Sequence, residues 1–222
     1  MPRAALAIAS IVPSRRMLCA APRGDGRPVM LLPGLVNSDR SMALMRRYLN
    51  RLGYRAFGWG LGRNLGARVI GGADGDRLIG QVAKLHDETG ETVTLVGVSL
   101  GGIMARFVAH RRPDLVREVI TVASPYAGDP RATRVWRQFQ WLTGERLDDA
   151  GVVARRREIA RPLPVPATAI WSRSDGLVNG LICRAPDESG LRCIEIRSGH
   201  LGVQVRPQTL RAIADVLGGA PA

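Results

Sequence analysis

Thr92-Val93-Thr94-Leu95-Val96-Gly97-Val98-Ser99-Leu100-Gly101-Gly102 is the stretch on which the fold turns. Its first five residues are β-branched or apolar and read as a buried strand. From Leu100 onward, Ile103, Met104, Phe107 and Val108 recur at helical spacing, which predicts a helix with one apolar stripe against a sheet. Between strand and helix lies G-x-S-x-G, the sequence form of a nucleophile elbow. A serine held in so tight a turn takes a strained backbone conformation, and its neighbours must lack bulk. Gly97 and Gly101 meet that demand, and Gly102 lets the helix lie close to the sheet. The helix start also turns backbone N–H groups toward whatever Ser99 attacks. In a chain with 26 glycines the pattern alone is weak, and a plain turn with an ordinary serine is the competing reading. The strand before it and the stripe behind it favour the elbow.

Upstream, Pro28–Leu32 is an apolar run that ends in Pro33-Gly34 and reads as a buried strand meeting a turn. Asn37, Ser38 or Asp39 then caps a helix whose Met45, Tyr48, Leu49 and Leu52 share a face, and Gly53 stops it. A second strand is predicted over 54–57. The glycine-rich residues 58–66 fail as a dinucleotide fingerprint, because Leu65 stands where the third glycine belongs, and they read as a loop lining the site. A helix over 74–89 returns the chain to the elbow strand.

Downstream, Pro113-Asp114 breaks the elbow helix and Val116–Val122 forms a strand. Strands are also predicted at Ala167–Trp171 and 193–196, and Leu210, Ile213, Ala214 and Leu217 mark a closing helix. The alternation implies right-handed crossovers and an α/β architecture, a mainly parallel sheet of about six strands flanked by helices. Residues 1–27 form an N-terminal segment and 28–222 one domain. Residues 129–163 interrupt the alternation with Trp136, Phe139, Trp141 and Leu142 among several arginines, followed by Arg155-Arg156-Arg157. Two readings stand for them: a small helical cap over the sheet edge, or a crossover whose aromatics belong to the core.

A serine hydroxyl needs a base, and the base needs an orienting partner. The chain has three histidines. His86 falls within the helix before the elbow strand. His110 lies about ten residues into the elbow helix, which at ~1.5 Å per residue places it ~15 Å from Ser99. His200, in Ser198-Gly199-His200-Leu201-Gly202 after the last strand, is therefore the base. Asp175 ends the Ala167–Trp171 strand in an Asp-Gly turn, on the edge where Ser99 and His200 sit. Asp129, Asp148 and Asp149 belong to the insertion, and Asp187 and Glu188 to a polar loop, so Asp175 is the orienting carboxylate. An oxyanion hole needs two N–H donors. Leu100 supplies one, and Leu35, where Gly34 turns the backbone inward after the first strand, supplies the other.

Leu31-Leu32-Pro33-Gly34-Leu35, Gly97-Val98-Ser99-Leu100-Gly101-Gly102, Arg112-Pro113-Asp114-Leu115-Val116, Ser172-Arg173-Ser174-Asp175-Gly176 and Gly199-His200 together resemble the α/β-hydrolases, in their compact bacterial lipase/esterase-like form. The order Ser, Asp, His along the chain agrees. The resemblance covers residues 28–217 and implies hydrolysis of carboxylic esters through an acyl-serine, without a cofactor. Many lipases carry His-Gly where this chain has Pro33-Gly34, and histidine where it has Val98, and neither is a triad position. An acyltransferase or thioesterase with the same triad, and a binding protein without catalysis, are the alternative functions.

Composition bounds the rest. A chain of 222 residues with 45% hydrophobic and 23% charged residues is that of a soluble globular protein. The net charge of +13 comes from arginines spread along the whole chain, Lys84 being the sole lysine. With no dense basic block and 5% aromatics, specific nucleic-acid binding is not expected, whereas weak association with an anionic membrane surface is. The substrate expected is a small-molecule or lipid ester. Cys19, Cys183 and Cys193 match no metal-ligand spacing; free thiols are favoured over a Cys183–Cys193 bridge. The N-terminal run reads poorly as a signal peptide and no segment is long enough to span a bilayer, so a cytoplasmic location is expected.

Overall fold

Strands β1 (Pro28–Leu32) and β3 (Val93–Val98) are buried at every position, as expected where helices cover both faces of a sheet. In the computed structural model, which describes residues 12–66, 73–134, 136–144, 146–185 and 188–219, they lie at the middle of a six-stranded parallel sheet. With β2 (Arg55–Gly58), β4 (Val116–Val122), β5 (Ala167–Trp171) and β6 (Leu191–Glu195), the order is β2-β1-β3-β4-β5-β6. The chain leaves β1 for the β2 edge, returns past β1 to β3, and then runs outward to β6. The direction reverses between β1 and β3, where Leu32 lies opposite Gly97. Loops leaving those two strands diverge there and open a crevice at the C-terminal edge.

Side chains alternate along each strand and feed two cores. Val29, Leu31, Val96 and Val98 meet Met45 and Leu49 of helix α2 (Asp39–Leu52) and Ile213 of the closing helix (Pro207–Leu217). On the other face, Met30, Leu32 and Leu95 meet Leu78 and Val82 of α3 (Ala73–Thr89) and Met104 of α4 (Leu100–Arg111). Fully buried side chains of this kind contribute roughly 1.5–3 kcal/mol each relative to exposure. Gly53 ends α2 in the left-handed region, at φ 109°, which a side chain would resist.

The expected strands are all present, with ends displaced by up to two residues. An addition comes before β1: Arg15–Cys19 forms a short helix, α1, packed on the first core through buried Leu18, with Ala21 buried just beyond it. The Arg211 guanidinium donates to the Met17 carbonyl (2.8 Å), and the Tyr48 hydroxyl donates to that of Leu18 (3.1 Å). Of the N-terminal segment 1–27, residues 1–11 lie outside the described residues. Among those residues no helix is long and apolar enough to cross a membrane, and the three cysteines are free thiols. Between β4 and β5 the insertion forms two helices, α5 (Trp136–Thr143) and α6 (Ala150–Ala160), and the closing helix is α7.

Candidate active site

The elbow is a place of close backbone approach. A Cβ on Gly97 would stand 2.3 Å from the Gly101 carbonyl oxygen, one on Gly101 2.2 Å from that of Leu32, and one on Gly102 2.0 Å from Ser124 Oγ. Each is inside any tolerable contact, so all three positions require glycine. Ser99 itself has φ 53° and ψ −118°, and its N–H donates to the Val122 carbonyl (2.8 Å), locking the turn to β4. Among the described residues, the other non-glycine residues with positive φ are Val36 and Ala123. All three follow the C-terminal ends of neighbouring strands, and strain of this kind persists only where surrounding structure over-determines it.

Asp175 and His200 reach Ser99 from β5 and β6. His200 Nδ1 lies 2.8 Å from Asp175 Oδ2, and Nε2 lies 3.0 Å from Ser99 Oγ. A carboxylate only accepts, so Nδ1–H is the donor, Nε2 of the neutral ring is the acceptor, and the Ser99 hydroxyl donates to it. Asp175, 5% exposed, accepts with its other oxygen from the N–H groups of Leu177 (3.1 Å) and Val178 (2.8 Å). The His200 N–H donates to the Asp175 carbonyl (3.0 Å). Behind these loops, Ser172 holds both. Its buried hydroxyl donates to the Ser198 carbonyl (2.7 Å) and accepts from the N–H groups of Ser198 (3.1 Å) and Ser174 (3.2 Å). The three residues singled out in the sequence are thus one hydrogen-bonded chain.

Ser99 opens into an apolar cavity of about 130 Å³. Leu35 and Leu100 border it beside Ser99. As the first residue of α4, Leu100 has an N–H with no carbonyl a turn earlier to receive it. The loop carrying Leu35 is pinned by Asn64, which is fully buried. The Asn64 amide donates to the Pro33 carbonyl (2.7 Å), and its backbone carbonyl accepts from the Val36 N–H (2.6 Å). Residues 58–66, expected to line the site, instead support the loop that does: none of them lies among the cavity's lining residues.

The far wall comes from the insertion. Trp136 and Phe139 line the cavity, whereas Trp141 is 83% exposed. Arg106 of α4 ties this wall down. Fully buried, it donates from Nε to the Ile159 carbonyl (2.8 Å) and from Nη2 to that of Arg161 (2.5 Å), pairs with Glu188 (3.1 Å), and lies 3.9 Å over the Tyr126 ring. Glu188 is therefore not a surface residue of a polar loop but the buried counterion of Arg106; Asp187 lies outside the described residues.

The other candidates sit away from Ser99. His86 Nδ1 hydrogen-bonds the Glu91 carbonyl (3.0 Å). His110 is packed at the far end of α4, where burial pushes its imidazole below its ordinary value. Asp129 and Asp148 pair with Arg131, and Asp149 precedes α6.

No family model matches the chain. It is 31% identical over 119 residues to a triacylglycerol lipase of Pseudomonas fragi, an alignment covering 49% of this chain and 38% of that one. The chain thus spans well under half of that relative's length. The Bacillus licheniformis lipase BlEst2 superposes with a TM-score of 0.67 at 16% identity, over 89% of this chain and 94% of that one. A monoacylglycerol lipase of Paleococcus ferrophilus gives 0.61 at 15% identity, over 87% and 96%. An α/β-hydrolase fold protein of Nakamurella multipartita gives 0.57 at 18% identity, over 88% and 93%. Strand order, elbow and superpositions agree: the chain has the fold of the α/β-hydrolases.

Proposed function

We propose that the chain hydrolyses carboxylic esters, with Ser99 as nucleophile, His200 as general base and Asp175 as its orienting partner. The observation that carries this reading is the unbroken relay from Asp175 Oδ2 through the imidazole to Ser99 Oγ, at 2.8 and 3.0 Å. As Oγ attacks the ester carbonyl, its proton passes to Nε2 and the carbonyl electron pair moves onto oxygen. The N–H groups of Leu35 and Leu100 receive that oxyanion, each typically worth ~3 kcal/mol of transition-state stabilisation. Collapse breaks the C–O bond to the alcohol, which takes the proton from Nε2. Water, activated by the same imidazole, then releases the acid from the acyl-serine.

The likeness to lipases supports an ester substrate, and the cavity sets its scale. At about 130 Å³ it compares with a cavity of about 150 Å³ that accepts a benzene ring, which suits a short acyl chain or a single aromatic ring. Loose association of the arginine-rich surface with an anionic membrane belongs to the same reading. The test is turnover of p-nitrophenyl butanoate. The wild type hydrolyses it, and Ser99→Ala lowers kcat by ~10⁴-fold or more. A folded Ser99→Ala protein with undiminished turnover would exclude Ser99 as the nucleophile.

A further inference from the structure

Two of the side chains that line the Ser99 cavity are charged, and both are arginines: Arg155 and Arg156, on consecutive positions of α6. Among the described lining residues none is acidic, and the others are mostly apolar. Consecutive residues point about 100° apart on a helix, and both long side chains reach the wall of one cavity, where the Gly128 carbonyl met by Arg156 Nη2 also belongs to a lining residue. Arg157, next in line, faces solvent.

Arg156 has its carboxylate partner only at the outer limit of an ion pair. It donates to the Gly128 carbonyl (3.2 Å), and it stands 4.0 Å from Asp129 Oδ1. That carboxylate is shared, since Asp129 also accepts from the Arg131 N–H (2.9 Å) and pairs with the Arg131 guanidinium at 3.7 Å. Burial pushes the Arg156 guanidinium down from its ordinary value, the mark of a cation held partly out of water. A few charged groups in an apolar pocket fix the orientation and identity of what binds there. The planar fork of arginine matches a carboxylate with two parallel hydrogen bonds.

We propose that the substrate is an ester carrying a carboxylate, short and apolar around the scissile bond, whose anionic group is received by Arg156 with Arg155 beside it. This deepens the ester-hydrolase reading and rests on it for the reaction, but its test is made on binding. The carboxylate can belong to the acyl part, as in a half-ester of a dicarboxylic acid, or to the alcohol part.

The experiment is calorimetric titration of Ser99→Ala protein, which leaves esters intact, with three probes: monomethyl adipate (anion on the acyl side), carboxymethyl butanoate (anion on the alcohol side) and neutral dimethyl adipate. One of the anionic esters is expected to bind at least about tenfold more tightly than the neutral one, and which one does so assigns the side. Introducing Arg156→Gln brings that ratio to within about threefold of one, with Arg155→Gln as the parallel variant. Equal or tighter binding of dimethyl adipate overturns the proposal, as does a preference that survives both substitutions. Absence of binding by all three at millimolar concentration counts against it equally. Loss of ester turnover in the wild type with the anion preference intact would instead refute the catalytic reading alone.

Discussion

The loops that follow the strands and the insertion between β4 and β5 border the same cavity, but they are held in place by different chemistry. The loops are fixed by their own backbone and by buried neutral groups. Ser172 joins the Asp175 and His200 loops, Asn64 pins the Leu35 loop, and Val36, Ser99 and Ala123 accept positive φ. The insertion is held largely by guanidinium groups: Arg106 on the Ile159 and Arg161 carbonyls, Arg156 on Gly128, Arg131 on Asp148 and Arg111 on Glu158. Short, shared hydrogen bonds fix the atoms to which the proposed reaction is assigned, as positioning for catalysis requires. Long charged side chains tolerate change in the segment that they anchor. On this account chemistry is built into the strand ends, and selection among substrates is delegated to the insertion.

The anchor between the two regions gives the largest expected change. Arg106→Met leaves Glu188 buried without its counterion and frees two carbonyls, which is expected to cost about 3–5 kcal/mol of unfolding free energy. Urea denaturation measures it. Because both partners are buried, the loss persists in high salt; a loss that salt abolishes would place the pair at the surface and undo the contrast.

Next comes the hydroxyl between the Asp175 and His200 loops. Ser172→Ala removes four hydrogen bonds at a buried position and is expected to cost about 1–3 kcal/mol. Its more telling effect is on kinetics. If Ser172 positions the Asp175–His200 pair, kcat falls while KM for p-nitrophenyl butanoate hardly moves. A change confined to stability would make it structural only. The smallest effect is expected in the insertion, where Trp141→Ser at an exposed position should shift stability by no more than about 0.5 kcal/mol. A larger loss would mean that the insertion is as tightly determined as the strand ends.

What was legible in the sequence follows the same division. Strand and helix order could be read because β1 and β3 are continuous apolar runs bounded by turns and the apolar residues of α2 recur at helical spacing. The hydrogen-bonded set of Ser99, His200 and Asp175 could be read because three histidines leave few choices and Asp175 ends a strand. Asn64 and Ser172 were invisible, since a polar residue in a loop reads as solvated, and their partners lie 31 and 26 residues away in the chain. Arg106 and Glu188 were hidden for the complementary reason. An arginine in an amphipathic helix reads as its wet face, and only the packing of α6 against α4 shows that it points inward. Helix α1 spans five residues, too few for a periodic signal.

Ser99 is proposed as a nucleophile activated through His200 and Asp175. The most direct test of that role is mass spectrometry of the protein after treatment with a fluorophosphonate ester. One adduct is expected on wild-type protein, located at Ser99, none on Ser99→Ala, and much slower labelling of His200→Ala. Folded wild-type protein that stays unlabelled, or an adduct at any other residue, would contradict it.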